Sequence, residues 1–364
     1  MKVFLTSLLI LMLAMSSLDM QAQEKNSEDS LDMKNWEQIC YCSFKGHFHP
    51  QEIVNADNNW QLLLALKNGY TSHQLDSLNI PYAKSQLLLL LSMRLIEQKG
   101  KVFTTTIPIL NKTETAELRA MSRKAAMQII SDIESECKDL VDFLAKNNRQ
   151  KNAFSILFSY VLDDRIWRKF EQENLTDESL IINNLWGGDY WSITPKRTWS
   201  CGTNSLSNDK YAILFNWSEQ SNKLLSKFYG ANFDGILDFL EDGKTNDSTV
   251  IDEFTKYGFF DKNKNLTIPI IDENGDNTLF TLSNKITDKL LSAFLKSTDF
   301  DAVKSKFNFV DDSQTVIIFY HEVMWDILNL LLEKQIIQKP IAFESPEKAE
   351  LLDIADLCFV IRKE

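Results

Sequence analysis

What this chain lacks most plainly is positive charge. Lysine and arginine together number 39 against 51 aspartates and glutamates, a formal net charge of −12. An acidic surface repels phosphate backbones and anionic lipid heads, which disfavours nucleic acid as a partner. Histidine is also scarce, with four in all. His321-Glu322 has Trp325 where a zinc-protease helix needs a second histidine on the same face. A glycine-rich phosphate loop is missing as well. These gaps remove the usual reasons to propose an enzyme, and no cofactor or metal is expected.

Long apolar runs are few. Residues 3–15 form one, behind Met1-Lys2 and ahead of Ser16, Ser17 and Ala22. This is the layout of a secretory signal peptide, too short to span a bilayer of about 30 Å. Cleavage is expected after Ala22, with residues 23–57 as a polar tail and a strand. Lys2 and Asp19 leave together, so the net charge is unchanged. The leucine-rich stretch 85–95 is flanked by Lys84 and Arg94 and suits a buried helix. A periplasmic or secreted protein with no transmembrane segment after cleavage is expected.

Five cysteines are an odd number for an oxidising compartment, so at least one thiol is free or paired between chains. Cys40 and Cys42 alternate along a strand. With His47 and His49 they offer soft ligands for zinc or copper(I), but the spacing is not that of a zinc finger, and packing is the favoured reading.

What the chain does have is an internal echo. Ile107, Pro108, Ile109 and Leu110 return as Ile268, Pro269, Ile270 and Ile271, an offset of 268 − 107 = 161. Leu118, Met121 and Ser122 return as Leu279, Leu282 and Ser283 at the same offset. The pattern predicts a duplicated unit at 58–197 and 220–364. A linker, 198–219, lies between them, with a strand at 211–217. In each unit a hairpin is expected, its second strands at 116–121 and 278–282. Apolar runs at 155–158 and 315–319 each precede a tryptophan-bearing helix, and closing strands fall at 189–193 and 356–360.

Thr71 is a good N-cap for a helix over 72–78. A further helix carries Leu87, Leu88, Leu91 and Leu95, followed by a turn at Lys99-Gly100-Lys101 and a β-rich stretch from 102 to 110. Three helices and a hairpin in this order resemble the winged-helix family over about sixty residues. The resemblance implies an α+β fold of two tandem winged-helix-like repeats packed together, with 85–97 as the recognition helix. That helix would carry a single cation, Arg94, which argues against DNA binding.

The segment 186–204 holds the most unusual residues: Trp186, Tyr190, Trp191, Arg197, Trp199 and Asn204. Flat indole faces with a few polar groups suit a protein, peptide or glycan ligand, and they suit an inter-repeat staple equally. The favoured expectation is an exported, non-enzymatic binding or interaction protein. Its rival is a secreted hydrolase using His321 and Glu322 or Cys201, and a third reading is a DNA-binding protein.

Overall fold

The structure is a computed structural model that describes residues 32–42, 49–176, 188–242, 248–275 and 277–363. The expected leader, Trp186 and His47 lie outside the described residues. The fold is α+β, helices with three small sheets among the described residues. It divides into two compact units: 1–117 with 178–196, and 118–177 with 197–364.

In the first unit, β1 (Glu37–Cys42) precedes α1 (Pro50–Asn55), whose first turn is capped by the His49 ring accepting from Gln51 N–H. Next come α2 (Asn59–Leu66), β2 (Tyr70–Thr71), α3 (Ser72–Ser77), α4 (Lys84–Ser92), β3 (Ile96–Lys99), β4 (Val102–Thr105) and β5 (Ile109–Leu110). Thr71 caps α3 as expected, in a reciprocal box with Gln74. Gly100, at φ +64°, makes the tight turn between β3 and β4. These strands form a sheet in the order β2-β4-β3. Trp60, Leu63, Leu75 and Leu90 fill the core beneath, and Trp36 meets Trp60 edge-on at 4.9 Å. The outer face of α4 leaves Leu88 67% and Leu89 38% exposed. A second sheet has the order β1-β6-β5, where β6 is Gly188–Ile193.

The second unit holds most of α5 (Lys112–Lys146), a short α6 (Ala153–Ser155), a π-helix (Ile156–Arg165) and α7 (Ile166–Gln172). It continues with β7 (Cys201–Ser207), β8 (Tyr211–Ser218), α8 (Asn222–Phe228), α9 (Phe233–Asp242), α10 (Ser248–Lys256) and β9 (Ile270–Asp272). Then follow α11 (Thr278–Ser297), α12 (Phe300–Phe307), α13 (Asp312–Glu333), α14 (Ile341–Glu344) and β10 (Cys358–Arg362). The sheet order is β7-β8-β10-β9. Gly202 of β7 is held under an indole: a Cβ there would lie 2.5 Å from the Trp217 ring.

Two expected hairpins are absent. Residues 116–121 and 278–282 belong to α5 and α11, not to strands. The polar turns before them are helix caps. Asn111 and Glu114 each accept the other's backbone N–H, and Asn277 accepts from Phe280 N–H. The apolar runs at 155–158 and 315–319 are helical too, so Tyr320-His321-Glu322 sits mid-helix rather than at a strand end. The stretch from 102 to 110 is two strands in two sheets. The strands expected near 189–193, 211–217 and 356–360 match β6, β8 and β10.

The 161-residue register reappears in three dimensions. Positions 117–129 of α5 and 278–290 of α11 have the same burial class at every step. Ser192 N–H donates to the Pro108 carbonyl at 3.0 Å, and Val360 N–H donates to the Pro269 carbonyl at 2.9 Å. Ile109 and Leu110 run parallel to Ser192 and Ile193, just as Ile270 and Ile271 run parallel to Val360 and Ile361. On their other side β6 and β10 each take an antiparallel strand, β1 and β8.

Within the second unit the helices pair crosswise. Arg119, Ser122 and Arg123 of α5 bond Glu322, Asp326 and Glu333 at 3.2, 2.5 and 2.6 Å, all on or at the end of α13. Arg165 and Lys169 instead reach Asn284 and Asp288 of α11, at 2.6 and 2.8 Å. Arg165 stands 326 − 165 = 161 residues before Asp326. Glu273 closes this second contact. Its buried carboxylate accepts from Tyr160 Oη at 2.7 Å, from Arg165 at 3.3 Å and from Arg168 at 3.0 Å. Replacing Glu273 by alanine strands these donors and should lower unfolding stability by about 3–5 kcal/mol. Glu273→Gln, which still accepts from Tyr160, should lose less. Urea melts of the two variants check this, and an unchanged midpoint for Glu273→Ala would contradict it.

Candidate functional site

Side chains that the sequence singled out for different reasons meet beside β7 and α13. Trp199 is half-buried. Lys339 Nζ lies 4.0 Å from its ring centroid, and the Trp325 ring stands edge-on to it at 6.1 Å. Arg197, from the strand approach, lies over Trp325 at 5.3 Å and pairs with Glu322 at 2.5 Å. Arg119 shares the same carboxylate at 3.2 Å. One buried acid therefore faces two guanidiniums, an arrangement that holds both cations in place.

Immediately before Glu322 on α13, His321 is buried and tilted against Trp167, ring centroids 4.9 Å apart. Its Nδ1 lies 2.7 Å from the Ile317 carbonyl, a contact in which that nitrogen carries the proton. Burial drives the imidazole down to about 4, partly opposed by this bond and by Glu322. His321 is therefore neutral near pH 7 and turned towards its own helix.

The π-helix lies against β7. Its Asp163 accepts from Thr203 Oγ1 at 2.9 Å and, at 3.5 Å, from Trp167 Nε1. Thr203 meets Ser159 at 2.8 Å, and Asn216 donates to Ser159. The string of hydroxyls thus points its donors at Asp163. Even so, burial pushes this carboxyl up to about 7, with Asp164 adding to the rise and Thr203 and Trp167 opposing it. A π-helix widens the turn and often marks a functional position. Here it turns Ser159 and Tyr160 into the interior, with Asp163 and Arg165 part-buried beside them. Cys201, one strand position from Gly202, is buried, and desolvation lifts its thiol well above the usual range, with Asp163 adding to it and Lys339 opposing. Such a thiol is inert as a nucleophile.

Arg197 and Trp199 are thus part of the cluster. Cys201, His321 and Glu322, proposed for catalysis, lie beside them. Tyr190 and Trp191 do not join it. They are buried in the first unit on β6, opposite Cys40 and Ile39, and present no ring face to solvent. Asn204 is exposed on β7 and bonds Tyr229. Cys40 is half-buried, and Cys40, Cys137, Cys201 and Cys358 are free thiols. Asp163, Thr203 and Lys339 were not legible as site residues. Trp167 and Trp325 were visible only as matched helix tryptophans. No family model matches the chain, and no curated protein and no solved structure matches it.

Two buried groups titrate with opposite sign. The Asp163 acid, ionised in the unfolded chain above its ordinary 3.8, stays protonated in the folded chain up to about 7. Its contribution to stability therefore falls as pH rises across that window. His321, ordinarily 6.5, is held to about 4. Its contribution is present above 6.5 and lost as pH falls towards 4. Between 4 and 6.5 the slopes offset each other, each at most about 1.4 kcal/mol per pH unit. Urea unfolding over this range should show Asp163→Asn gaining stability as pH rises and His321→Gln losing it. Parallel profiles for the two variants would show that the burial of these groups has been misjudged.

Proposed function

We propose that this is an exported binding protein, built by duplication of a winged-helix-like unit, that takes its ligand at the Trp199 cluster. One observation carries the binding reading: a half-buried indole held between a lysine ammonium and a second indole, beside a fixed acid and two guanidiniums. Two neighbouring indoles with a few oriented polar groups have the composition of a ligand site. A hydrolase is a poorer fit. His321 has its Nδ1 committed to a backbone carbonyl, Glu322 is held by Arg119 and Arg197, and the Cys201 thiol is buried and protonated. DNA binding is also a poor fit, because the outer face of α4 offers Leu88 and Leu89 alongside a single lysine, Lys84.

The duplication rests on the 161-residue register of burial and on the matched Pro108 and Pro269 carbonyl contacts. The winged-helix likeness of the first unit rests on the sequence α2-β2-α3-α4-β3-β4 and the sheet order β2-β4-β3. Export rests on residues 1–22 alone, and N-terminal sequencing of the secreted protein should find a new terminus near Gln23.

Trp191 and Trp199 separate scaffold from site. Trp191→Ala should cost roughly 3–5 kcal/mol of stability, as expected for a buried aromatic. Trp199→Ala should melt within about 1–2 kcal/mol of the parent, since its ring is only half covered. Assays of the mature protein against ester, peptide and glycoside substrates should show no turnover. Turnover abolished by His321→Ala or Cys201→Ser would instead establish the hydrolase.

A further inference from the structure

We infer that a second copy of this chain pairs with the open edge of β7, joining two four-stranded sheets across a two-fold axis; the inference rests on the reading of the Trp199 cluster as a binding site and names its partner. β7 is the outer strand of the order β7-β8-β10-β9. Among the described residues, only β8 bonds its backbone. Alternate N–H and C=O groups along its seven residues therefore face outward, a template for another strand. Such edges are usually guarded by a charge, a proline or a bulge. β7 has none of these. No charged residue and no proline occurs from Thr198 to Asn208, and the β7–β8 register runs unbroken from Cys201↔Ser218 to Ser207↔Ala212. The opposite edge of the same sheet, β9, is three residues long and carries Asp272. Asn204, Ser205, Leu206 and Ser207 are all exposed, so both faces of β7 are open there.

The strand is complementary to itself. Antiparallel pairing of β7 with its own copy along its whole length sets Asn204 opposite Asn204, and therefore Gly202 opposite Leu206. No like charges then meet across the pair, which would oppose it. The Trp217 indole crosses over Gly202, where a Cβ would lie 2.5 Å from the ring. Leu206, 36% exposed, shares that face of the strand, so Leu206 of the other copy comes against the part-exposed indole. Tyr229, 47% exposed, bonds Asn204 beside the axis. Charge complementarity extends the match past the strand ends. The same register carries Asp209, exposed two residues beyond β7, to Trp199 of the other copy, two residues ahead of its β7. There Lys339 Nζ stands 4.0 Å from the ring centroid. It makes no ion pair with a carboxylate among the described residues. The two-fold axis forms this acid–ammonium contact twice.

The test is sedimentation velocity of the full mature protein from about 1 to about 100 μM, where a dimer should form. Leu206→Lys should weaken self-association at least about ten-fold while the dilute protein melts as the parent does. Asp209→Lys and Lys339→Glu should each weaken it about five-fold, and the double variant should return to within about two-fold of the parent. Asn204→Cys, whose two copies face each other within disulfide reach, should give a covalent dimer under mild oxidation. Leu206→Cys, about 13 Å from its own copy in this register, should not. A parent that stays monomeric throughout would overturn the pairing and leave the Trp199 cluster open to another ligand. A dimer that survives Leu206→Lys, or that crosslinks through Leu206→Cys, would also overturn it. Self-association lost in Leu206→Lys but indifferent to Asp209→Lys and Lys339→Glu would uphold the strand pairing and overturn the Trp199 contact.

Discussion

The second unit depends on how a helix that is apolar all round is kept from water. The helix α13 is buried from Gln314 almost without interruption to Leu331. By length and composition it could cross a membrane, yet 83% of its apolar window is covered by protein. A helix of this kind needs neighbours on every side. They come from far along the chain: α5 lies against it through Arg119, Ser122 and Arg123, and the π-helix through Tyr320 Oη, which donates to the Leu162 carbonyl at 2.9 Å. Polar groups on α13 are met by α5: Glu322 accepts from Arg119, and Asp326 accepts from Ser122.

That requirement explains why the compact units and the proposed repeats do not coincide. The sheet and helices around α2–α4 form one unit, while the long helix that follows them in sequence packs with its proposed counterpart, α11. Lys285 and Lys289 of α11 both reach Glu136 of α5. On the duplication reading, each half lends its long helix to the other half's apolar helix. The candidate site follows from the same exchange, since Arg119 comes from the first half and Glu322, Trp325 and Lys339 from the second.

Local signals in the sequence were read well. The Thr71 cap and the β1, β6, β8 and β10 strands all have short-range causes. The starts of α5 and α11 were misread because Asn111-Glu114 and Asn277 are equally at home in a turn and in a helix cap. Their burial, at Leu118, Ser122, Ala125 and Ile129, follows helical spacing and decides between the two. Tyr190 and Trp191 were indistinguishable from Trp199 in the sequence, because only packing tells a buried strand face from an open one. Asp163 gives no local sign of its surroundings: its environment is made by Thr203, forty residues away.

The exchange is best tested by native-state hydrogen exchange in low denaturant, resolved by peptide. Segments 118–146, 156–172, 279–296 and 313–332 should lose protection together, as one cooperative unit, and separately from 59–105. If 37–193 instead opened as one block and 211–362 as another, each half would be closed on itself, and the crosswise packing of α5 with α13 would not be what holds the fold.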